Sequence, residues 1–249
     1  MARQGLRLSL AACLLLLSGC ATSGYTWGWY VVSPLDARGR KNIAFLAEGL
    51  WATVSLSAVS VALSVLIGIG VALAGLSRHR LLRMANRAYV ECVRAVPLLV
   101  LLLWVYYGLP VVFGLQFDVF AAGVITLALS DSAFQAEIFR AGIQSVARGQ
   151  VEAAQALGLR PWHVMRRVVL PQAIRRILPA LGNQFIYVLK MSSLISVVGL
   201  QELTRRANEL TIVEYRPLEI YSLLVLEYLV LILLVSALVR RVEVRLNRQ

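Results

Sequence analysis

Four charged side chains fall inside long apolar runs of this chain: Asp131, Glu137, Lys190 and Glu227. A charged side chain within hydrocarbon costs about 2.5–3.5 kcal/mol on insertion scales, so it normally faces a bundle interior or a water-filled cavity. Asp131 and Lys190 either neutralise one another or present both signs of charge to a cavity. For Glu137 we favour a helix-surface pair with Arg140, three residues later, and for Glu227 simple packing against another helix.

Uncharged polar side chains accompany Lys190 along the same apolar run. Each could line an aqueous route or hydrogen-bond a neighbouring helix, as small polar residues often do in membranes. Both interpretations stay open for Asn183, Gln184, Ser192, Ser193 and Ser196.

Catalytic patterns are missing from the 249 residues. The two lysines, Lys41 and Lys190, follow no glycine-rich phosphate loop, and no HExxH or CxxC occurs. The aspartates are too far apart in sequence to form a carboxylate–metal cluster, and no histidine lies in an apolar run to activate a serine. The sequence therefore predicts no catalytic group, no metal site and no cofactor in this chain, so any active work must be driven by a partner.

The elements that position these residues are membrane-length helices. The chain is 59% hydrophobic and 15% charged, whereas soluble domains carry about 25% charged residues. A helix needs about 20 apolar residues to cross roughly 30 Å of hydrocarbon. The sequence predicts an all-α integral membrane protein with about five core spans: Gly49 to Ser77, Ala95 to Phe117, Val119 to Phe139, Ile177 to Leu200 and Ile220 to Val239.

The net charge of +12 alternates across these spans. Sixteen basic residues lie between spans one and two, between spans three and four, and after span five, against six on the other side. This is the positive-inside pattern. It places the basic segments in the cytoplasm and starts span one from outside, in a multi-pass cytoplasmic-membrane protein. A basic stripe for nucleic acid would not alternate in this way.

The first twenty residues resemble an export signal. Arg3 and Arg7 precede a short apolar stretch that ends in Leu17-Ser18-Gly19-Cys20, too short to span and followed by small residues. The ending also resembles a bacterial lipoprotein signal, in which the cysteine is acylated. Cleavage or lipidation at Cys20 and an accidental cysteine in a starting helix remain equal alternatives.

The stretch Glu152 to Pro171 is unusually polar for its position between two spans. A short helix rich in Ala, Glu and Gln should end at Gly158, which suits a left-handed residue. Pro161 should open a second helix that carries Trp162, Met165 and Val169 on one face. Pro171 would then permit a bend before the membrane. A surface linker that touches lipid headgroups would show the same features.

This stretch resembles the cytoplasmic signature loop of bacterial ABC importer permeases. That loop reads Glu-Ala-Ala, three residues, Gly, nine residues, Ile, one residue, Leu-Pro. Here it stands as Glu152-Ala153-Ala154, Gly158, Val168 and Leu170-Pro171. The stretches "VECVRAVPLLVLLLWVYYGLP", "SAFQAEIFRAGIQSVARGQVEAAQALGL" and "LPQAIRRILPALGNQFIYVLKMSSLISVVGLQEL" are similar to the polar-amino-acid branch, the histidine/glutamine/arginine-type permeases.

The resemblance covers roughly residues 25–243 and implies a division of labour. It implies a second permease subunit, identical or homologous, two cytoplasmic ATPases that hold ATP and Mg, and an external solute-binding protein. Glu152, Ala153, Ala154, Gly158, Leu170 and Pro171 would couple the ATPase to a translocation path near Asp131, Asn183, Gln184, Lys190, Ser192 and Ser193. The implied organisation is a signal-like segment (1–20), an external region (21–48), the permease domain (49–243) and a cytoplasmic tail (244–249).

Three alternatives remain at this stage. An importer of another small amino-acid-like solute, such as an opine, shares this kind of permease. A secondary transporter or channel would need no ATPase, but usually shows inverted repeats, and no internal repeat is visible. A non-transporting membrane assembly factor would equally lack catalytic groups.

Overall fold

The computed structural model describes residues 25–247, and these are helical with short connections. The predictions made for residues 1–20, including Cys20, lie outside the described residues. A short 3₁₀ turn (Trp29–Val32) precedes the helices. These are α1 (Ala37–Leu76), α2 (Arg80–Ala95), α3 (Leu98–Phe113), α4 (Val119–Gln144), α5 (Arg148–Ala156), α6 (Pro161–Val198), α7 (Leu203–Glu214) and α8 (Pro217–Asn247).

Helices α1 and α4 form the most tightly packed pair, and they run parallel. The Ser64 hydroxyl donates to Asp131, 67 residues later. The same offset recurs one turn further on, where a Cβ on Gly68 would lie 2.6 Å from the Cβ of Gln135. It recurs near the outer end, where Gly123 abuts Leu56. Because both helices enter from the same side, small residues at matching positions let the two backbones approach.

Helix α6 packs antiparallel against α4. Gly142, near the inner end of α4, contacts Ile177 on α6, and Gly123, near the outer end, contacts Ile195. Leu56, Leu127 and Ile195 therefore meet in one buried cluster shared by α1, α4 and α6. This three-helix core positions the interrupted spans against each other.

The predicted start of the second span, at Ala95, is wrong. The apolar run Ala95 to Phe117 contains a break at Val96 and Pro97, where the helix axis turns by 97° between α2 and α3. Proline disfavours the helical region for the residue before it, and Val96 accordingly has extended backbone angles. The basic segment between spans one and two, including Arg80 to Arg94, forms the helix α2.

Four described helices are long and apolar enough to cross a membrane, and the bent pair α2–α3 raises this to five. The all-α membrane architecture with about five spans is thus confirmed. Helix α5, between spans three and four, is too short and too polar to cross, as the sequence predicted for the cytoplasmic segment.

The helix ends that the charge pattern assigns to the outside are covered by what we call the outer cap: residues 25–36, α7 and the first turn of α8. The buried Glu219 of α8 accepts hydrogen bonds from the Tyr25 hydroxyl and the Gly28 amide. The hydrogen bond to Glu219 is the largest of the effects that raise the pKa of Tyr25 above its usual value. These contacts fix the entering chain beside the last span.

Candidate functional site

The segment that we call the cytoplasmic elbow, residues 148–169, comprises α5, a turn and the first part of α6, on the side that the charge pattern assigns to the cytoplasm. Gly158 follows α5 with φ +80°, the left-handed conformation predicted for it. No atom lies within 4 Å of the position that its Cβ would take. Glycine is therefore favoured here by backbone conformation rather than by space. Pro161 occupies the first turn of α6, also as predicted.

The two arms of the elbow are held together by a small apolar cluster. Ala154 is 5% exposed and packs with Val146, Val164 and Val169. Its carbonyl accepts the Leu159 amide at 3.2 Å, which closes the turn. An alanine at this position lets α5 lie close to α6. Of the two alanines in the motif, Ala154 is buried and Ala153 is exposed.

The predicted apolar face of the second arm is wrong at two of its three positions. Trp162 is 66% exposed and Met165 is 38% exposed, whereas Val164 and Val169 are buried. A π-helical turn at Met165–Val169 causes the difference, because the wider turn displaces the ordinary spacing of three and four residues. Pro171 lies in the first turn of the α-helical segment that follows and does not end the helix.

Two hydrogen bonds tie the elbow's surroundings to the spans. The Gln172 amide of α6 donates to Gln150 Oε1 of α5 at 2.5 Å. The Arg176 guanidinium donates to the Ser145 carbonyl, between α4 and α5, at 2.5 Å. These bonds connect α5 to α6, and α6 to the end of α4. The sequence reading missed these residues because their partners are 22 and 31 positions away.

The side of α5 opposite the buried Ala154 is exposed. Glu152 and Ala153 are exposed, and Leu157 is 83% exposed. Leu157 was not a candidate, although an apolar side chain between a helix end and Gly158 is a recognisable signal. Leu170 lies instead on α6 and lines an apolar cavity of about 300 Å³ between α1, α4 and α6. Pro171 is exposed beside it.

Asp131 lies in a buried polar cluster at the centre of the bundle. Its carboxylate accepts from Ser64 of α1, from Gln135 Nε2 at 2.9 Å and from Gln184 Nε2 of α6 at 2.6 Å. Lys190 forms no ion pair with Asp131, so the suggested neutralisation is wrong. The amides and the hydroxyl stabilise the carboxylate instead, which ties three spans together.

The remaining path candidates separate into two groups. Asn183 and Lys190 are exposed on one face of α6, and Tyr187 lies between them on the same face. Ser192 is buried and donates to the Leu189 carbonyl at 2.8 Å, and Ser193 donates to the Lys190 carbonyl at 2.8 Å. The serines thus satisfy the backbone where α6 tightens into a 3₁₀ turn, and Asn183, Tyr187 and Lys190 form an exposed stripe.

The surface pair expected for Glu137 is confirmed, with the Arg140 guanidinium 2.6 Å from its carboxylate. Glu227 borders an apolar cavity between α1, α7 and α8, which fits packing against neighbouring helices. Among residues 25–247, no group of three or more His, Cys, Asp or Glu converges to hold a metal ion.

Known proteins share both the sequence and this architecture. Residues 64–248 match the family described as binding-protein-dependent transport system inner membrane component. The chain is 38% identical over 209 residues to the glutamine transport system permease protein of Escherichia coli K12, covering 82% of this chain and 94% of that one.

Two solved structures extend the comparison. A crystal structure of an amino acid ABC transporter with histidines contains a chain that is 40% identical, with a TM-score of 0.81 over 89% of this chain and all of that chain. The methionine ABC transporter in an inward-facing conformation, at 22% identity and a TM-score of 0.71 over 82% of this chain and 97% of that one, shares the fold. The long spans, the elbow and these matches lead to one conclusion: the chain belongs to the family of inner membrane components of binding-protein-dependent transport systems.

Proposed function

We propose that this chain is the permease subunit of an ATP-driven importer of polar amino acids. In this assembly two ATPases bind ATP and Mg in the cytoplasm, a second permease subunit completes the pathway, and an external binding protein delivers the solute. Membrane lipid surrounds the spans. Two relatives support the solute class, because one is a glutamine transport system permease protein and the other belongs to an amino acid ABC transporter.

The observation that carries the proposal is the construction of the elbow. Its outer side presents Glu152, Ala153 and Leu157 to the cytoplasm, while Ala154 anchors it and Gln172 and Arg176 bind its surroundings to the spans. Small side chains allow a groove on an ATPase to approach closely, and exposed Leu157 offers an apolar anchor. Movement of the ATPase then displaces α4 and α6 together.

The exposed stripe on α6 supplies the proposed pathway. Lys190 carries a charge within a span and is exposed in the single chain. Because lipid is an unfavourable environment for an ammonium group, the stripe faces a water-filled space between two permease subunits. Asp131, Gln184, Ser192 and Ser193 lie behind the stripe and hold the helices that form it.

Two variants of Gly158 test the coupling role. Gly158→Val places a β-branched residue at a positive φ, which is strained although the site is open. Asparagine adopts the left-handed conformation more readily, so Gly158→Asn is the matched control. In the complete complex reconstituted in vesicles, we expect Gly158→Val to hydrolyse ATP with uptake reduced about tenfold or more, while Gly158→Asn transports nearly normally.

The outcomes separate the explanations. Equal uptake by both variants would remove the elbow from the mechanism. If no ATPase co-purified with the wild-type chain from its own cells, the importer assignment itself would fail. Quantities of each variant in the membrane must match, which immunoblotting establishes.

A further inference from the structure

The apolar cavity beside Leu170, of about 300 Å³, is a groove between α1, α4 and α6, which we call the inner groove. All ten residues that line it are apolar. Ala72 and Ile177 are buried at its base, whereas Leu73 is 60% exposed and Leu170 and Ile174 are also exposed. The inner groove is therefore open along one side and offers no group that would bind a polar solute.

The inner groove and the exposed stripe lie on opposite faces of α6, which is regular α-helix from Leu170 to Met191. At 100° per residue, the groove residues Leu170 and Leu181 lie within about 20° of each other. The stripe residue Lys190 lies half a turn away from Leu181. Because we propose that the stripe faces the second permease subunit, the inner groove faces away from that subunit, toward lipid.

The inner groove has the length of one acyl chain. Its lining begins near the cytoplasmic helix ends, since Leu73 precedes the end of α1 by three residues and Ile143 precedes the end of α4 by one. Along α6 the lining extends from Leu170 to Leu181, which is about 16 Å at 1.5 Å per residue. One leaflet is half of a hydrocarbon core of roughly 30 Å. The inner groove therefore spans the cytoplasmic leaflet.

Positive charge lies at the cytoplasmic end of the inner groove. Ile143 also lines a second cavity, of about 570 Å³, which Arg148 borders, and Arg166 lies one turn before Leu170. Both arginines are exposed, and neither forms an ion pair within the described part of the chain. Residues 145–176 contain six arginines and one glutamate. This charge favours an anionic group at the membrane surface, next to the apolar lining.

We propose that the inner groove binds an anionic phospholipid of the cytoplasmic leaflet, with one acyl chain in the groove and the phosphate at Arg148 and Arg166. This lipid site goes beyond the proposed transport function. Guanidinium groups bind phosphate oxygens with paired, charge-assisted hydrogen bonds. Because Arg148 begins α5 and Arg166 belongs to α6, the headgroup bridges the two arms of the elbow.

Native mass spectrometry of the complete complex in detergent tests the lipid preference. The complex is titrated with dioleoyl phosphatidylglycerol and, in parallel, with dioleoyl phosphatidylcholine, which has the same acyl chains but a zwitterionic headgroup. We expect one tightly bound phosphatidylglycerol for each copy of this chain, with an affinity about tenfold or more above that of phosphatidylcholine. Equal affinities of the two lipids would overturn the inference.

Arginine variants test where the headgroup binds. Arg148→Gln and Arg166→Gln should each weaken phosphatidylglycerol binding about fivefold, and the double variant about thirtyfold. Arg241→Gln is the control, because this exposed arginine lies near the cytoplasmic end of α8, which does not line the inner groove. It should change the affinity less than twofold. An equal loss in Arg241→Gln would indicate attraction by the whole basic surface and would refute a defined site.

A groove-filling variant tests where the acyl chain lies. Leu73→Trp enlarges an exposed side chain of the lining and should weaken the binding of both lipids about tenfold. Leu66→Trp is the matched control, since Leu66 is 69% exposed, lies seven residues earlier on α1 and does not line the inner groove. It should bind both lipids as the wild type does.

Two results with Leu73→Trp would overturn the inference. One is unchanged lipid binding, and the other is loss of a second permease subunit from the complex, because that subunit would then be what covers the inner groove. ATP-dependent uptake by the wild-type complex is measured separately, so a failure of the lipid site and a failure of the proposed transport function are distinguishable.

Discussion

The outer cap and the cytoplasmic elbow lie at opposite ends of the same spans and are held by different contacts. Buried carboxylates organise the cap: Glu219 binds Tyr25 and Gly28, and Glu202 accepts the Arg205 amide at 2.7 Å and the Tyr228 hydroxyl at 3.0 Å. The elbow has a four-residue buried cluster of alanine and valines. The two ends therefore differ in their buried polar groups. The cap buries carboxylates beside an apolar cluster, whereas the elbow's buried cluster is apolar and the hydrogen bonds from Gln172 and Arg176 are exposed.

This difference fits two mechanical tasks. A buried carboxylate with several donors allows one arrangement, because every misplaced donor loses a bond in a dry environment. Small side chains in contact impose less directional restraint, and the open side of α5 can accept a partner. The cap therefore fixes the chain where it enters the bundle. The elbow remains accessible on the side of α5 where we propose that an ATPase binds.

Removing the cap's buried carboxylate should have the largest effect on stability. Glu219→Ala leaves the Gly28 amide and the Tyr25 hydroxyl without their acceptor, which costs about 2–3 kcal/mol. We expect amide hydrogen exchange in residues 25–32 to accelerate about thirtyfold or more. Mass spectrometry of the exchanged peptides measures this, and exchange in α5 should not change. An equal acceleration at both ends would contradict the proposed independence of the cap and the elbow.

The two neighbouring alanines of the elbow sharpen the comparison. Ala154→Leu inserts a larger side chain into the cluster with Val164 and Val169, so it should destabilise the elbow by about 1–3 kcal/mol. Ala153→Leu, one residue earlier and exposed, should alter stability by less than about 0.5 kcal/mol. Thermal unfolding of the purified chain in detergent compares the two variants.

Recovery of the ATPase should rank these alanine variants differently from stability. If the exposed side of α5 is gripped by an ATPase, Ala153→Leu lowers the amount of co-purified ATPase although the chain is stable. Full ATPase recovery with Ala153→Leu would show that this side of the helix is not the contact surface.

The smallest effect is expected at a surface ion pair of the cap. Arg206 lies 2.7 Å from Glu48, whose side chain is 66% exposed. Glu48→Gln should change stability by about 0–1 kcal/mol, because Arg206 keeps its bond to the Phe45 carbonyl at 2.9 Å and its contact with the Phe45 ring. A loss as large as that from Glu219→Ala would mean that charge, rather than buried hydrogen bonding, holds the cap.

Local signals in the sequence predicted much of this arrangement. Uncharged runs and alternating basic residues gave the spans and their direction, and Gly158 and Pro161 gave the elbow's turn, since a left-handed residue and a helix start depend on their own backbone. The Glu137–Arg140 pair followed from a spacing of three. These features involve residues close together in the chain.

Long-range contacts were harder to predict. Nothing in the runs around Ser64 and Asp131 specifies that they pair across 67 residues, so the sequence offers Lys190 as one of two alternatives for Asp131. The break before Pro97 lies within an apolar run, so the sequence did not predict α2 as a helix of its own. A π turn changed which side chains of the elbow are buried, because it alters helical phase without altering composition.

The π turn at Met165–Val169 has one further consequence. An extra residue in a turn rotates everything beyond it by about 100° relative to ordinary winding. The face of α6 that contacts α5 and the face that packs in the bundle are therefore rotated relative to each other, although α6 is one continuous helix. Insertion or removal of one residue at that point would change the orientation of α5 relative to the spans, while the packing within the membrane would stay in register.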